Sequence, residues 1–110
     1  MERPDRYELD PKAAAQHVKA GALLLDVREP DEWETAHVAG AQHIPLGEID
    51  QRFHELPRDR EIVIICRSGR RSAKAQDAME AAGFGPVANL AGGMIAWEED
   101  GLPVTRGPSA

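Results

Sequence analysis

A chain of 110 residues with one cysteine, one tyrosine, two phenylalanines and two tryptophans has few of the usual anchors of a small fold. The lone Cys66 cannot close an internal disulfide, so a bridge-stapled secreted scaffold is excluded. No apolar run approaches the roughly 20 residues of a membrane span. The opening MERPDRYELD carries charges where a signal peptide needs an apolar stretch, so a cytoplasmic protein without a membrane partner is expected. Positive charge is also in deficit: 13 Lys and Arg stand against 19 Asp and Glu, a net charge of −6. Nucleic-acid binding is dominated by phosphate neutralisation, so this balance argues against a nucleic-acid partner.

The 42% of hydrophobic residues is enough for one core. The reading is a single domain over 1–110, monomeric, with a core from about 7 to 104. The tails MERPD and VTRGPSA are polar or rich in Pro and Gly, and are expected to fray.

Strand-like and helix-like segments alternate between the tails. YEL is a short edge strand. In DPKAAAQHVKAG, Asp10 caps a helix, Pro11 suits its first position and Gly21 ends it. ALLLDV is an uninterrupted apolar run of strand length, the pattern of a parallel strand buried on both faces. PDEWETAHV reads as a short helix with acids in its first turn, AQHIPL as a short strand, and GEIDQRFHEL as a helix spaced on Ile49, Phe53 and Leu56. EIVIIC is the strongest strand, β-branched through Ile62–Ile65. GRRSAKAQDAMEAAGF is an alanine-rich helix, PVANL a last short strand and GMIAWEEDG a last helix. This order predicts an α/β fold, a parallel sheet with helices on both faces. Such sheets bind ligands beyond the carboxyl ends of their strands, which is where Cys66 falls.

The residues after Cys66, CRSGRRS, form a positive island on a negative chain. Arg67, Arg70, Arg71 and Lys74 lie within nine positions starting at the cysteine, and no acid occurs between Glu61 and Asp77. Cations at a helix N-terminus oppose the helix dipole, so their presence there points to an anionic ligand. The reactive form of cysteine is the thiolate. A tight strand-to-helix turn would lower its pKa through inward-pointing amides, the helix dipole and nearby arginines, with Gly69 free to take a positive φ. The plain alternative is a small buried hydrophobe beside a solvated first turn. Ser68 and Ser72 read as helix caps.

These residues resemble the active-site loop of the single-domain rhodanese sulfurtransferases. LLLDVREPDEWETAHVAGAQHIPLGEI is similar to the N-terminal signature of that family, and LAGGMIAWEEDGLPV to its C-terminal one. The resemblance spans roughly residues 23 to 104; Ala36 and Ala39 depart from the usual glycine and proline. It implies a rhodanese-like fold with a five-stranded parallel sheet, and Cys66 as the residue that carries sulfur. The thiolate would take the outer sulfur of thiosulfate or a small persulfide, and the loop residues Arg67, Ser68, Gly69, Arg70 and Arg71 would bind the donor and hold the sulfur. A thiophilic acceptor, cyanide or a thiol or protein cysteine, would then remove it. No cofactor and no metal is implied. Phosphatases and arsenate reductases share the cysteine position, but need an arginine six positions after it, where this chain has Ser72. A non-catalytic interaction module of the same family usually lacks the cysteine.

Other patterns carry less. GFGPVA follows a helix and contains Pro86, so it reads as a helix stop and turn. His17, His37, His43 and His54 have no zinc spacing; His37 suits a structural hydrogen bond, and His17 and His54 a helix surface. Asp26 and Arg28 either line the pocket or pair internally. Glu29, Asp31, Glu32 and Glu34 read as a solvated helix face, Trp33 and Trp97 as core, and Gly92 and Gly93 as the permissive turn into the last helix.

Overall fold

The computed structural model describes residues 5–107. Five strands form one sheet in the order β1-β5-β4-β2-β3, every pair parallel. They are β1 (Glu8–Leu9), β2 (Leu23–Asp26), β3 (Gln42–His43), β4 (Ile62–Ile65) and β5 (Val87–Leu90). Helices α1 (Pro11–Lys19), α2 (Pro30–Thr35) and α3 (Arg70–Ala81), with the 3₁₀ run Leu46–Glu55 between β3 and β4, supply the crossovers, and α4 (Gly93–Glu99) follows the last strand. No helix among the described residues is long and apolar enough to cross a membrane.

β4 lies at the centre because it is apolar on both sides and β-branched, and all four of its residues are buried. Side chains alternate along a strand, so Ile62 and Ile64 face one helical layer while Val63 and Ile65 face the other. The first set packs with Leu25, Ala75, Met79 and Phe84 beneath α3. The second packs with Ala14, Met94 and Trp97 beneath α1 and α4. Cys66 continues the first set by the same alternation, which turns its thiol towards α3.

Asp10 caps α1 as expected, accepting from the amide of Ala13 at 2.8 Å. Three expectations are corrected. The segment Leu46–Glu55 is not one α-helix but a 3₁₀ run kinked at Arg52 (φ −123°, ψ 17°). Gly47, Asp50 and His54 are weak helix formers, and buried Ile49 with half-buried Phe53 anchors the run. α2 ends at Thr35 because Ala36 turns extended. His37 then exchanges two backbone hydrogen bonds with Thr105, so the C-terminal segment is tied down at that residue instead of fraying from Val104. The expected fraying of residues 1–4 and 108–110 lies outside the described residues.

His17 is also more than helix surface. Its Nδ1 meets Glu61 Oε1 at 2.5 Å, while the Tyr7 hydroxyl donates to Glu61 Oε2 at 2.6 Å. This cluster joins α1 and the approach to β1 onto the start of β4.

The turn between β5 and α4 fixes the turn after β4. Gly92 and Gly93 both have positive φ, 80° and 58°. The amides of Met94 and Ile95 donate to the carbonyls of Cys66 and Arg67 at 2.8 and 3.1 Å. The approach is so close that a Cβ on Gly93 would stand 2.4 Å from the Cys66 carbonyl oxygen and 2.5 Å from that of Arg67.

Two stability measurements follow. Gly93→Ala adds left-handed strain to a backbone clash and is expected to destabilise by at least about 2 kcal/mol, a fall in thermal midpoint of roughly 8–16 °C. An unchanged midpoint would contradict the close approach. Burial raises the Glu61 pKa, but the hydrogen bonds from Tyr7 and His17 outweigh it and hold the carboxyl below its ordinary value. A depressed folded-state pKa gives stability above the ordinary carboxylate range that is lost as pH falls through the folded value. Glu61→Gln is therefore expected to be less stable than the natural chain near neutrality and to converge with it in acid. A difference that stays constant with pH would refute the carboxylate's part.

Candidate active site

Cys66 is 1% exposed and stands at the carboxyl end of β4, where the chain turns through Arg67, Ser68 and Gly69 into α3. The turn closes because Gly69 takes φ +102° at the N-cap position, which brings its amide back to Cys66 Sγ at 3.0 Å. Its carbonyl meanwhile accepts from the amide of Ala73. The carbonyls of Cys66 and Arg67 are held away by the amides of α4, so the loop turns its N–H groups, not its C=O groups, towards the sulfur. Burial alone pushes the Cys66 thiol up. Turned towards the thiolate, the Ser72 hydroxyl joins the amides of Ser72, Gly69 and Ser68 in outweighing burial, and the pKa lies below the ordinary thiol value. The result is a sulfur shielded from water yet set among donors that favour negative charge.

Ser68 and Ser72 do not cap α3. The N-cap residue is Gly69, with no side-chain cap bond. Ser72 is the third residue of the helix and is fully buried, on the stripe it shares with Ala75, Gln76 and Met79. Its Oγ lies 3.3 Å from Cys66 Sγ and donates to Asn89 Oδ1 at 2.5 Å. Asn89, which the sequence reading passed over, is buried on β5 and donates through Nδ2 to Glu8 Oε2 at 3.0 Å and to the Gly69 carbonyl at 3.1 Å. A signal for both existed. A serine opening an apolar helical stripe, and an asparagine inside a buried strand, each need a partner.

The three arginines are not equivalent. Arg67 and Arg70 are exposed and form no ion pair among the described residues. Arg70 lines a cleft of about 570 Å³ on the flank of the loop, together with Ser68, Gly69, Lys74, Arg6 and Glu8. Arg71 instead makes a two-pronged pair with Glu32 of α2, at 2.6 and 2.9 Å. Glu32 is thus no solvated acid. Hydrogen bonds from Arg71 hold it down at about 2.

Asp26 and Arg28 resolve as an internal ion pair. The Arg28 guanidinium donates to both Asp26 carboxylate oxygens at 2.8 to 3.1 Å and to the Ala36 carbonyl at 2.7 Å, all buried. The pair ties the end of β2 to the exit of α2. Trp33 stacks between His37 and His43, with ring centroids 3.7 and 4.8 Å away. The structural bond expected of His37 runs from Nδ1 to the Trp33 carbonyl at 2.8 Å. Trp97 is core, with Nε1 donating to the Pro103 carbonyl. GFGPVA forms the helix stop and turn expected of it, with Gly83 at φ +91°. No group of three or more His, Cys, Asp or Glu among the described residues is placed to hold a metal ion.

Comparison with known proteins agrees with this architecture. The model of the rhodanese-like domain family matches residues 10–100. A sulfurtransferase of Allochromatium vinosum is 39% identical over 99 residues, covering 88% of this chain and 92% of its own length. The putative sulfur carrier protein YrkF of Bacillus subtilis is 51% identical over 92 residues, covering 82% of this chain; the match spans half of YrkF. Among solved structures, the rhodanese-related protein of Thermoplasma volcanium superposes with a TM-score of 0.84 at 31% identity, over 90% of this chain and 97% of that one. With the parallel sheet in the order β1-β5-β4-β2-β3 and the cysteine loop between β4 and α3, the chain belongs to the rhodanese-like domain family.

Proposed function

We propose that the chain is a sulfurtransferase that carries sulfane sulfur as a persulfide on Cys66. The observation that carries this reading is the polarity of the loop, in which the Gly69 amide donates to the sulfur at 3.0 Å while the carbonyls of Cys66 and Arg67 are tied to α4. The sulfurtransferase and sulfur-carrier relatives support it. The Cys66 thiolate attacks the outer sulfur of thiosulfate. The new S–S bond forms as the old one breaks, sulfite leaves with the electron pair, and the negative charge passes to the outer sulfur of the persulfide. The loop amides then serve as its donors, an oxyanion-hole arrangement applied to sulfur. Cyanide removes the outer sulfur as thiocyanate and returns the thiolate; a small thiol or a protein cysteine becomes a persulfide in the same way. No second cysteine exists to resolve the intermediate internally, so a two-step cycle with an external acceptor follows.

In this reading Arg67 and Arg70 attract the anionic donor, and Arg71, committed to Glu32, braces the loop from the side of α2. The same commitment weighs against phosphatase chemistry. Ser72 stands where a phosphoryl-clamping arginine would be needed, and the nearest guanidinium is already engaged.

Incubation with thiosulfate should add one sulfur atom to the intact mass, removed as thiocyanate by cyanide and absent in Cys66→Ser. No gain from thiosulfate or from a small persulfide, together with hydrolysis of a phosphate ester, would replace this reading with the phosphatase one. Replacing Arg67 and Arg70 by Gln should raise KM for thiosulfate roughly three- to tenfold with little change in kcat, and should weaken its salt dependence. An unchanged KM and salt dependence would remove both arginines from donor capture.

A further inference from the structure

We propose that Asn89 is a positioning residue that competes with the Cys66 sulfur for the single proton of the Ser72 hydroxyl. Glu8 Oε2 and the Gly69 carbonyl can only accept, so the Asn89 group that faces them is its NH₂. Its carbonyl oxygen therefore faces Ser72, and it too can only accept. Ser72 has one proton and spends it on Asn89 at 2.5 Å, leaving oxygen lone pairs towards Cys66 Sγ at 3.3 Å. A protonated thiol fits this arrangement, because its S–H donates to Ser72 and the chain of donors is complete.

Ionisation breaks the arrangement. The thiolate has no proton to give and needs one to receive, so the Ser72 hydroxyl must turn from Asn89 to sulfur. The Asn89 carbonyl oxygen is then left buried without its donor. Asn89 thus opposes the bare thiolate while the loop amides favour it. This deepens the sulfurtransferase reading and, for its consequence, rests on it. In the persulfide the inner sulfur bears no proton and the charge sits on the outer sulfur, so the Ser72 hydroxyl can stay with Asn89. The couple favours the sulfur-loaded state over the unloaded thiolate.

Other charges bear on the same sulfur. Arg67 and Arg70 flank it on the loop and first turn, Arg71 of α3 acts on it only through its charge while paired with Glu32 of α2, and Glu29 lies near Arg71. The Asp26–Arg28 pair closes the end of β2, and Glu8 of β1 stands behind Asn89. A neutral substitution at position 89 leaves these charges in place but removes the Nδ2 donor to Glu8 Oε2 and to the Gly69 carbonyl, a loss that the Ser72→Ala background shares and so subtracts out.

The test is a pH titration of thiolate ultraviolet absorbance. Cys66 is the only cysteine, so the signal has one source. The only tyrosine does not overlap, because the Glu61 carboxylate, with burial, pushes Tyr7 up to about 12. Asn89→Leu should shift the Cys66 midpoint to lower pH, with about fivefold or more thiolate at a fixed pH below it. In the Ser72→Ala background the same substitution should produce no shift. A merely structural role predicts the opposite sign, since a loosened loop loses amide donors; a rise, no change, or a shift that persists without Ser72 overturns the proposal. Should the position-89 variants not fold, the infrared S–H stretch of the natural chain decides. A band displaced by donation to Ser72, relative to Ser72→Ala, supports the proposal; identical bands overturn it. Neither readout requires sulfur transfer, so sulfur gain from thiosulfate, measured separately, shows whether the sulfurtransferase reading fails on its own.

Discussion

The hydrogen bonds from the amides of Met94 and Ile95 to the carbonyls of Cys66 and Arg67 set the polarity of the loop. A peptide unit presents its N–H and C=O in opposite directions, so tying the carbonyls to α4 leaves the amides to face the sulfur. The geometry needs the backbone of α4 at near contact, and only a residue without a Cβ fits at position 93. The sheet order supplies the rest. β5 pairs directly with β4, so the turn after β5 lies beside the turn after β4. The paired glycines near the end of the chain are in this sense part of the cysteine loop.

Around that loop the charges divide into those that brace and those left for a ligand. Asp26 with Arg28 and Glu32 with Arg71 are mutually satisfied, and both join α2 and its flanks to the sheet or to α3. Arg67 and Arg70 are left outside such pairs on a chain of net charge −6. A buried thiol among neutral donors, with Arg67 and Arg70 outside any ion pair among the described residues, is what the proposed anionic donor would meet. Ser72 and Asn89 close the inner side of the same pocket, where water does not reach.

Much of this was legible in the sequence. The β-branched run before Cys66 marks the central strand, and strand alternation aims the thiol at α3. Gly69 marks the turn, and the spacing to Ser72 is what the proposal rests on in preferring sulfur to phosphate chemistry. What escaped depends on distance along the chain or on a one-residue offset. Glu32 meets Arg71 across 39 positions, so its acidic neighbours made it look solvated. Ser72 looked like a cap because serine is a common N-cap residue, but α3 starts two residues before it, directly after the left-handed Gly69. Asn89 sits in a strand recognised by its apolar neighbours, and its partners come from β1, α3 and the cysteine loop. In Leu46–Glu55 the apolar spacing was right, and weak helix formers tightened the turn to 3₁₀.

The central claim is that the loop amides hold a sulfur atom bonded to Cys66. Diffraction from crystals soaked in thiosulfate tests it directly. The account predicts new density for one atom bonded to Sγ, inside the loop and within hydrogen-bond reach of the backbone nitrogens that follow Cys66. A sulfur bonded to Sγ but directed out of the loop, or an unmodified Cys66 in crystals whose protein gains no sulfur in solution, would contradict it.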